Sequence, residues 1–266
     1  MNVDEVDTLV RAASASFWVP PEGEHRRADG FDIVRYDNGF VYDTGVYNVD
    51  SQRPATALIA DAEAIAREWQ RPALYWHGLG DRTRPADLVD ALLSRGGEEK
   101  ERLALLVLGL TAPRPALEAP ADVTVEPAVE RRQVEDFRVV ESAAFETPLQ
   151  PVTEEQLAER RRDATDGSGE YLVGYLDGRP VSTGGTSYVA GCAVAKLWGG
   201  ATDPSARGRG AYRAVLDARL RAATEHGCRL AFVEGRVTTS APILRRAGFT
   251  TYDEVFMLRQ PVAADA

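Results

Sequence analysis

The chain has 266 residues, of which 44% are hydrophobic and 27% charged, and these fractions are ordinary for a water-soluble globular protein. Its net charge of −10 disfavours a nucleic-acid-binding role, because proteins that neutralise a phosphate backbone usually present a basic face. No run approaches the roughly 18 consecutive apolar residues of a membrane-spanning helix. Residues 1–5 are acidic rather than signal-peptide-like, so we expect a cytoplasmic protein without membrane contacts.

Cysteine usage and chain length add two further expectations. Cys192 and Cys228 are the two cysteines, too few for a disulfide scaffold, and we expect both to be reduced. The chain is longer than one domain core usually needs, so two domains are expected. Residues 112–122 contain three prolines and no glycine, which is typical of a stiff linker. We therefore predict domains at residues 1–115 and 116–266.

The first part of the chain predicts strands alternating with helices. Asp37-Asn38-Gly39 is a hairpin signal between two segments rich in aromatic and β-branched residues. Leu58, Ala62, Ile65 and Trp69 recur on one face of a helix. The predicted elements are, in order, strands at 31–36 and 40–48, a helix through 58–69, a strand at 73–78, a helix at 85–93 and a strand at 103–110.

The second part continues the alternation. Thr153 and Gln156 form a capping-box pattern that opens a helix, and Asp177-Gly178 is a hairpin turn. The predicted elements are a strand at 123–126, a helix through 134–144, a helix from 153, strands at 171–176, 179–187 and 193–202, a helix at 211–225, a strand at 229–234, a short helix ending at 246 and a strand at 255–258. This order indicates an α/β protein with a mixed sheet and a parallel step around the long helix.

The loop Arg207-Gly208-Arg209-Gly210 lies between a predicted buried strand and this long helix. A helix N-terminus offers unpaired N–H groups and partial positive charge, and glycines let a phosphate approach the backbone closely. The loop therefore favours a phosphate site, although a solvated charged turn has the same composition. No Gly-Lys-Ser/Thr follows, and the spacing is not Gly-x-Gly-x-x-Gly, so neither common nucleotide fingerprint applies.

The segment 201–216 resembles the acetyl-CoA loop of the GNAT superfamily of N-acetyltransferases. Pro204, Arg207 and Gly210 match the family pattern, whereas Tyr212 stands where the family has Gly or Ala. Residues 241–249, ending in Gly-Phe, resemble the family's last helix. The resemblance covers about half of the chain and implies a GNAT fold in the C-terminal half.

The resemblance also implies a binding site for acetyl-CoA as cosubstrate. Backbone N–H groups in the loop would bind the pyrophosphate, and the preceding strand end would pair with the pantetheine arm. The residues implied for the pyrophosphate are Arg207, Gly208, Arg209, Gly210, Ala211, Tyr212 and Arg213, and those for the pantetheine are Gly200, Ala201 and Thr202. The consecutive glycines 199 and 200 suit close approach of a ligand.

The family chemistry is direct attack of an amine on the thioester, which requires a group that removes the amine's proton. Glu234 is the candidate base, at the end of the strand after the cofactor helix; a solvated strand-end carboxylate is the alternative reading. The family's acidic tyrosine is replaced by Leu244, and Tyr252 is the nearest substitute in sequence. The three histidines are too scattered for a metal site, so no metal is expected.

The first part resembles a degenerate GNAT-like domain, as found in tandem acetyltransferases. Its strand at 73–78, loop at 81–85 and following helix mirror the cofactor unit without the paired glycines. An independent α/β domain covering the substrate site is the alternative. The expected function is acetyl transfer to a small-molecule primary amine by a monomer or homodimer. A non-catalytic acyl-CoA-binding regulator is the other candidate, because the tyrosine is missing.

Overall fold

The computed structural model describes residues 1–20, 22–37, 41–113 and 117–263. The elements before the linker are α1 Val3–Ala15, β1 Glu24–Ala28, β2 Phe31–Arg35, β3 Thr44–Tyr47, α2 Ala55–Glu68, β4 Ala73–Leu79, α3 Leu88–Ser94 and β5 Glu98–Gly109. Those after it are β6 Val123–Pro127, α4 Arg131–Phe145, α5 Glu154–Asp166, β7 Gly169–Leu176, β8 Arg179–Tyr188, β9 Val194–Thr202, a 3-10 turn at Pro204–Ala206, α6 Ala211–Glu225, β10 Leu230–Arg236, α7 Ser240–Arg246 and β11 Thr250–Pro261.

The chain divides into two compact units, and each unit contains segments from separate parts of the sequence. The N-terminal unit contains residues 14–105, 235–242 and the C-terminal stretch from residue 251. The C-terminal unit contains residues 1–13, 106–234 and 243–250. The domain boundary predicted at 115/116 falls beside residues 114–116, which lie outside the described residues, and it stays a prediction.

The N-terminal unit is built on strands in the order β1-β2-β3-β4-β11. The pairs β1/β2, β2/β3 and β4/β11 are antiparallel, whereas β3 and β4 are parallel and are joined through α2. Apolar residues of α2 and α3 pack against the sheet around Trp76, whose indole N–H donates to Gln260 Oε1 at 2.9 Å. Burial of this apolar cluster supplies the main stabilisation of the unit.

The C-terminal unit has strands in the order β10-β9-β8-β7-β6. Strands β6 to β9 form antiparallel pairs, and β9 and β10 are parallel and joined through α6. Helix α4 covers one face, where Phe137 lies in a cluster with Val173, Tyr175 and Trp198. Helix α6 covers the other face. The predicted mixed α/β fold is thus confirmed, including the parallel step around the long helix.

Most predicted elements are present, and α6 has the predicted bounds. Helix α1 and strand β1 were not predicted. Strand β1 has the sequence Glu-His-Arg-Arg-Ala and lies at the edge of the sheet, so it lacks the apolar residues by which a strand is predicted from sequence. The capping box at Thr153 and Gln156 is formed. The turn predicted at 37–39 includes residues outside the described ranges, but β2 and β3 on its two sides pair antiparallel.

The internal repeat lies one element earlier than the sequence suggested. In the C-terminal unit the parallel crossover is β9–α6–β10, and its topological counterpart in the N-terminal unit is β3–α2–β4. The match of the cofactor unit to residues 73–110 was therefore wrong. Strand β3 is only four residues long, so its apolar pattern was weaker than those of β4 and β5.

Candidate functional site

The loop before α6 presents a row of backbone N–H groups at its surface. Gly208 and Gly210 have φ values of +78° and +81°, the left-handed region that only glycine enters without strain. Ala206 N–H donates to Asp203 O at 2.9 Å, and Ala214 N–H donates to Gly210 O at 3.2 Å. Among the residues that the structure describes, none accepts a hydrogen bond from the N–H groups of 208–213. The loop is therefore a concentrated set of unsatisfied donors.

Three exposed arginines surround these donors. Arg207 is held by a 3.4 Å hydrogen bond from its Nε to Thr202 O, the last residue of β9. Arg209 and Arg213 project to solvent. Within the described ranges no carboxylate forms an ion pair with any of the three. Free N–H groups, a helix N-terminus and unpaired guanidinium groups together form a site that fits a polyphosphate.

The side chain of Tyr212 occupies the face of the strand end that precedes this loop. A Cβ built on Gly200 would lie 2.8 Å from Cε2 of Tyr212. The phenol ring therefore lies directly on the backbone of Gly200, on the α6 face of the sheet. Burial of the ring raises the pKa of Tyr212. The close approach that this glycine permits is made, on this face, by the chain's own side chain rather than by a ligand.

The pairing of β8 with β9 slips between Thr183 and Gly185, and a buried arginine of α6 holds the two strands at this bulge. Arg219 is 1% exposed and donates to the carbonyls of Gly185 and Trp198, the latter at 3.0 Å. A Cβ on Gly184 would lie 2.6 Å from Arg219 Nη1. Burial lowers the pKa of Arg219, but its carbonyl partners and the absence of a side chain at Gly184 accommodate the charge.

Strands β9 and β10 part at the end of this bulge. Their parallel register runs from Val194↔Leu230 to Leu197↔Val233, and Glu234 is the next residue of β10. Its carboxylate Oε1 lies 3.5 Å from Nζ of Lys196, which also lies over the ring of Phe232. The predicted base is thus at the opening between the strands, half-exposed and already facing an ammonium group.

A second carboxylate at this opening was not predicted. Glu141 Oε1 of α4 lies 3.6 Å from the position of a Cβ on Gly199, so the carboxylate faces bare backbone at the bulge. Burial raises the pKa of Glu141, and the charges of Arg160 and Arg138 oppose that rise. Glu141 follows Phe137 by four residues, so it shares the buried stripe of α4. A carboxylate on the buried side of a helix is the sequence signal by which Glu141 could have been found.

The other residues singled out in the sequence lie away from the bulge or carry no reactive group. Leu244 is 1% exposed and supplies no acidic hydroxyl. Tyr252 belongs to the N-terminal unit, where its hydroxyl accepts a hydrogen bond from Arg82 Nη1 at 2.8 Å. His226 caps α6 and stacks on Tyr188. Within the described residues, no group of three or more His, Cys, Asp and Glu side chains could hold a metal ion.

The N-terminal counterpart of the loop before α6 is the segment 48–54 before α2. Three of its N–H groups donate within the chain: Asp50 to Gly30 O, Ser51 to Arg84 O and Arg53 to Ser51 Oγ. Pro54, at the start of α2, has no N–H group. This loop has no glycine and three of its donors are occupied, so it does not repeat the arrangement before α6.

Comparison with known proteins gives a family for the region that contains this geometry. Residues 134–249 match the model of the Acetyltransferase (GNAT) family. A GCN5-related N-acetyltransferase from Kribbella flavida has a similar fold, with a TM-score of 0.66, 20% identity and 96% of each chain covered. A second one from Sphaerobacter thermophilus has a TM-score of 0.65 and 18% identity, over 91% of this chain and 83% of that one.

A tandem GNAT protein from the clavulanic acid biosynthesis pathway is similar over the whole chain. Its TM-score is 0.61 at 17% identity, with 100% of this chain and 97% of that chain covered. At these identities the likeness concerns the fold, and it supports a GNAT-like fold in both halves. No curated protein matches the chain. In the part of the chain that the structure describes, no helix has the length and hydrophobicity needed to cross a membrane.

Proposed function

Because residues 134–249 match the model of the GNAT family of acetyltransferases, we propose that this chain transfers an acetyl group from acetyl-CoA to a primary amine of a small molecule. The observation that carries the proposal is the loop of 207–213, with its unsatisfied N–H groups and unpaired arginines at the N-terminus of α6. Such a site fits the pyrophosphate of coenzyme A.

The rest of the cosubstrate would follow the opening between β9 and β10. Gly200, Ala201 and Thr202 continue β9 after its pairing with β10 has ended, so this edge of the strand can pair with an extended ligand. The pantetheine arm has amide groups that suit such pairing. Tyr212 lies on the α6 face of Gly200 and leaves the strand edge to the ligand.

The chemistry that acetyl-CoA supplies is an activated acyl group. The protein has to hold an amine beside it and take up a proton, and orientation alone can contribute roughly 7–11 kcal/mol to lowering the barrier. Glu234 and Glu141 are the two carboxylates described above at the opening between the strands. Glu234→Gln tests the base predicted from the sequence: a large loss of turnover with unchanged acetyl-CoA affinity would support that role.

The direct test is a screen of primary amines with acetyl-CoA, in which release of free coenzyme A thiol is measured. Turnover with at least one small amine is expected, and its acetylated product should be seen by mass spectrometry. The second candidate, an acyl-CoA-binding regulator without activity, is favoured by the buried Leu244 in place of an acidic tyrosine. Acetyl-CoA binding without turnover of any amine would support the regulator instead.

A further inference from the structure

Glu141 stands out because its carboxylate is partly buried and accepts no hydrogen bond from any residue that the structure describes. Its side chain is 22% exposed, and the nearest cation is Arg138 Nη1 at 3.8 Å. Buried carboxylates normally accept several hydrogen bonds, because desolvation without them is costly. The carboxylate is therefore placed for a donor that arrives from outside the protein.

The position of this carboxylate is defined by the bulge of β9. Gly199 has a φ of +59° and no side chain, and Glu141 Oε1 lies 3.6 Å from where a Cβ would be. Gly199 follows Leu197, the last residue of β9 paired with β10, by only two positions. The carboxylate thus reaches the strand backbone at the place where the strand edge becomes available to a ligand.

The two carboxylates at the opening differ in their surroundings. Glu234 pairs with the ammonium group of Lys196 at 3.5 Å, and its side chain is 35% exposed against 22% for Glu141. The charged groups acting on Glu141 are Arg138 from its own helix and Arg160 from α5. Arg160 lies over the rings of Phe137 and Tyr171, and its Nη1 is buried without a hydrogen-bond partner among the described residues.

The opposite face of the sheet does not supply a partner for Glu141. Arg219 reaches the bulge from α6, but its guanidinium group donates hydrogen bonds to the carbonyls of Gly185 and Trp198. The nearby hydroxyl of Thr183 donates to Gly199 O at 3.4 Å. Arg219 and Thr183 therefore both donate to backbone oxygens at the bulge.

We infer that the carboxylate of Glu141, held against the bare backbone of Gly199, binds the ammonium group of the acceptor and receives its proton. The inference rests on the proposed acetyl transfer. One N–H bond of the ammonium group breaks and its proton passes to a carboxylate oxygen. The freed nitrogen lone pair then forms the C–N bond as the C–S bond of the thioester breaks.

The proton balance of this step closes within the proposed reaction. The second proton that nitrogen loses neutralises the departing thiolate, and Glu141 returns its own proton to water after the products leave. Burial raises the pKa of Glu141, which makes its carboxylate a stronger base than that of an exposed glutamate. Glu234 is not required for this step and keeps its pairing with Lys196.

The test compares Glu141→Gln with Glu234→Gln and with Glu135→Gln, an exposed control on the same helix. With n-butylamine and acetyl-CoA at pH 7, Glu141→Gln should lower kcat/KM at least tenfold and leave the acetyl-CoA Kd within twofold. The loss should shrink above pH 9, where more of the amine is neutral. A larger loss in Glu234→Gln, or a wild-type pH profile in Glu141→Gln, would overturn the inference.

A second measurement does not depend on turnover. The carboxyl ¹³C resonance of Glu141 is assigned by its loss from the spectrum of Glu141→Gln. It should titrate above the ordinary range of glutamate and shift when n-butylamine is added to protein saturated with coenzyme A. A resonance that ignores the amine would overturn the assignment. Absence of turnover by the wild-type protein with every amine would overturn the proposed reaction instead, and this resonance would still decide the role of Glu141.

Discussion

The ring of Tyr212 lies on the backbone of Gly200, so the first turn of α6 contacts the end of β9 through an aromatic side chain. A Cβ on Gly200 would lie 2.8 Å from Tyr212 Cε2 and 3.3 Å from its Oη. The bulky residue at 212 is therefore accommodated by the missing side chain at 200. Tyr212, which stands where the family pattern has a small residue, and Gly200 therefore form one structural unit.

Gly200→Ala should be destabilising because of this contact alone. The φ of Gly200 is not in the left-handed region, so alanine adds no backbone strain, and overpacking of this kind costs about 1–3 kcal/mol. In a Tyr212→Ala background the same substitution should cost almost nothing. Urea unfolding of the four proteins of this cycle measures the coupling. An equal cost in both backgrounds would show that the ring does not rest on Gly200.

Loss of phosphate binding is best tested at Gly208 rather than at Gly210. A Cβ on Gly210 would lie 2.6 Å from Pro120 Cγ, whereas Gly208 has no atom within 4 Å of that position. Gly208→Glu should weaken acetyl-CoA binding at least tenfold, about 1.4 kcal/mol, because it places a carboxylate among the N–H donors. Titration calorimetry gives the affinity.

The matched control for this change is Gly191→Glu. Gly191 has a φ of +70° against +78° for Gly208, and it also has open space around it. Both substitutions therefore carry the same backbone strain, and only the position differs. Equal acetyl-CoA affinities for the two variants would remove the loop from the cosubstrate site.

The sequence predicted those parts of the site that depend on backbone conformation. Glycines at 208 and 210, between a strand and a helix, determine the loop geometry locally, and the structure has both in the left-handed region. Glu141 was not predicted because its importance comes from its position opposite Gly199, which is 58 positions away in the sequence. The N-terminal repeat was misaligned because β3, with four residues, is shorter than the strands that follow it.

Arg219→Met should destabilise the C-terminal unit strongly. The arginine is fully buried and donates to two carbonyls at the bulge, and each buried acceptor left without a donor costs about 1–3 kcal/mol. Arg221→Met on the same helix is the control, since that side chain is exposed and pairs with Asp217 at the surface. Chemical unfolding should separate the two variants clearly, and similar midpoints would show that the carbonyls find other donors.

The pH dependence of the unfolding free energy should also reflect the burial of Glu141. Its pKa in the folded protein is raised above the unfolded value, so the folded state binds the proton more tightly. The associated stability is fully present below the unfolded pKa and is lost as the pH rises through the folded pKa. Glu141→Gln lacks this loss and should gain stability relative to the wild type as the pH is raised from 4 to 8. A difference in unfolding free energy that does not change over this range would contradict the burial of the charged form.

The chain should bind one acetyl-CoA, at the loop before α6. Both parallel crossovers place a helix N-terminus after a strand, so the helix dipole does not distinguish them. The backbone N–H groups do distinguish them. In the segment before α2, the N–H groups of Asp50, Ser51 and Arg53 donate within the chain, and Pro54 has no N–H group. The N–H groups of 208–213 have no acceptor among the described residues. Titration calorimetry of the full-length protein should therefore give a stoichiometry of about one, and Gly208→Glu should weaken that single binding event without revealing another. Two sites per chain, or a Gly208→Glu variant that retains a tight site, would show that the N-terminal loop binds the cosubstrate despite its occupied donors.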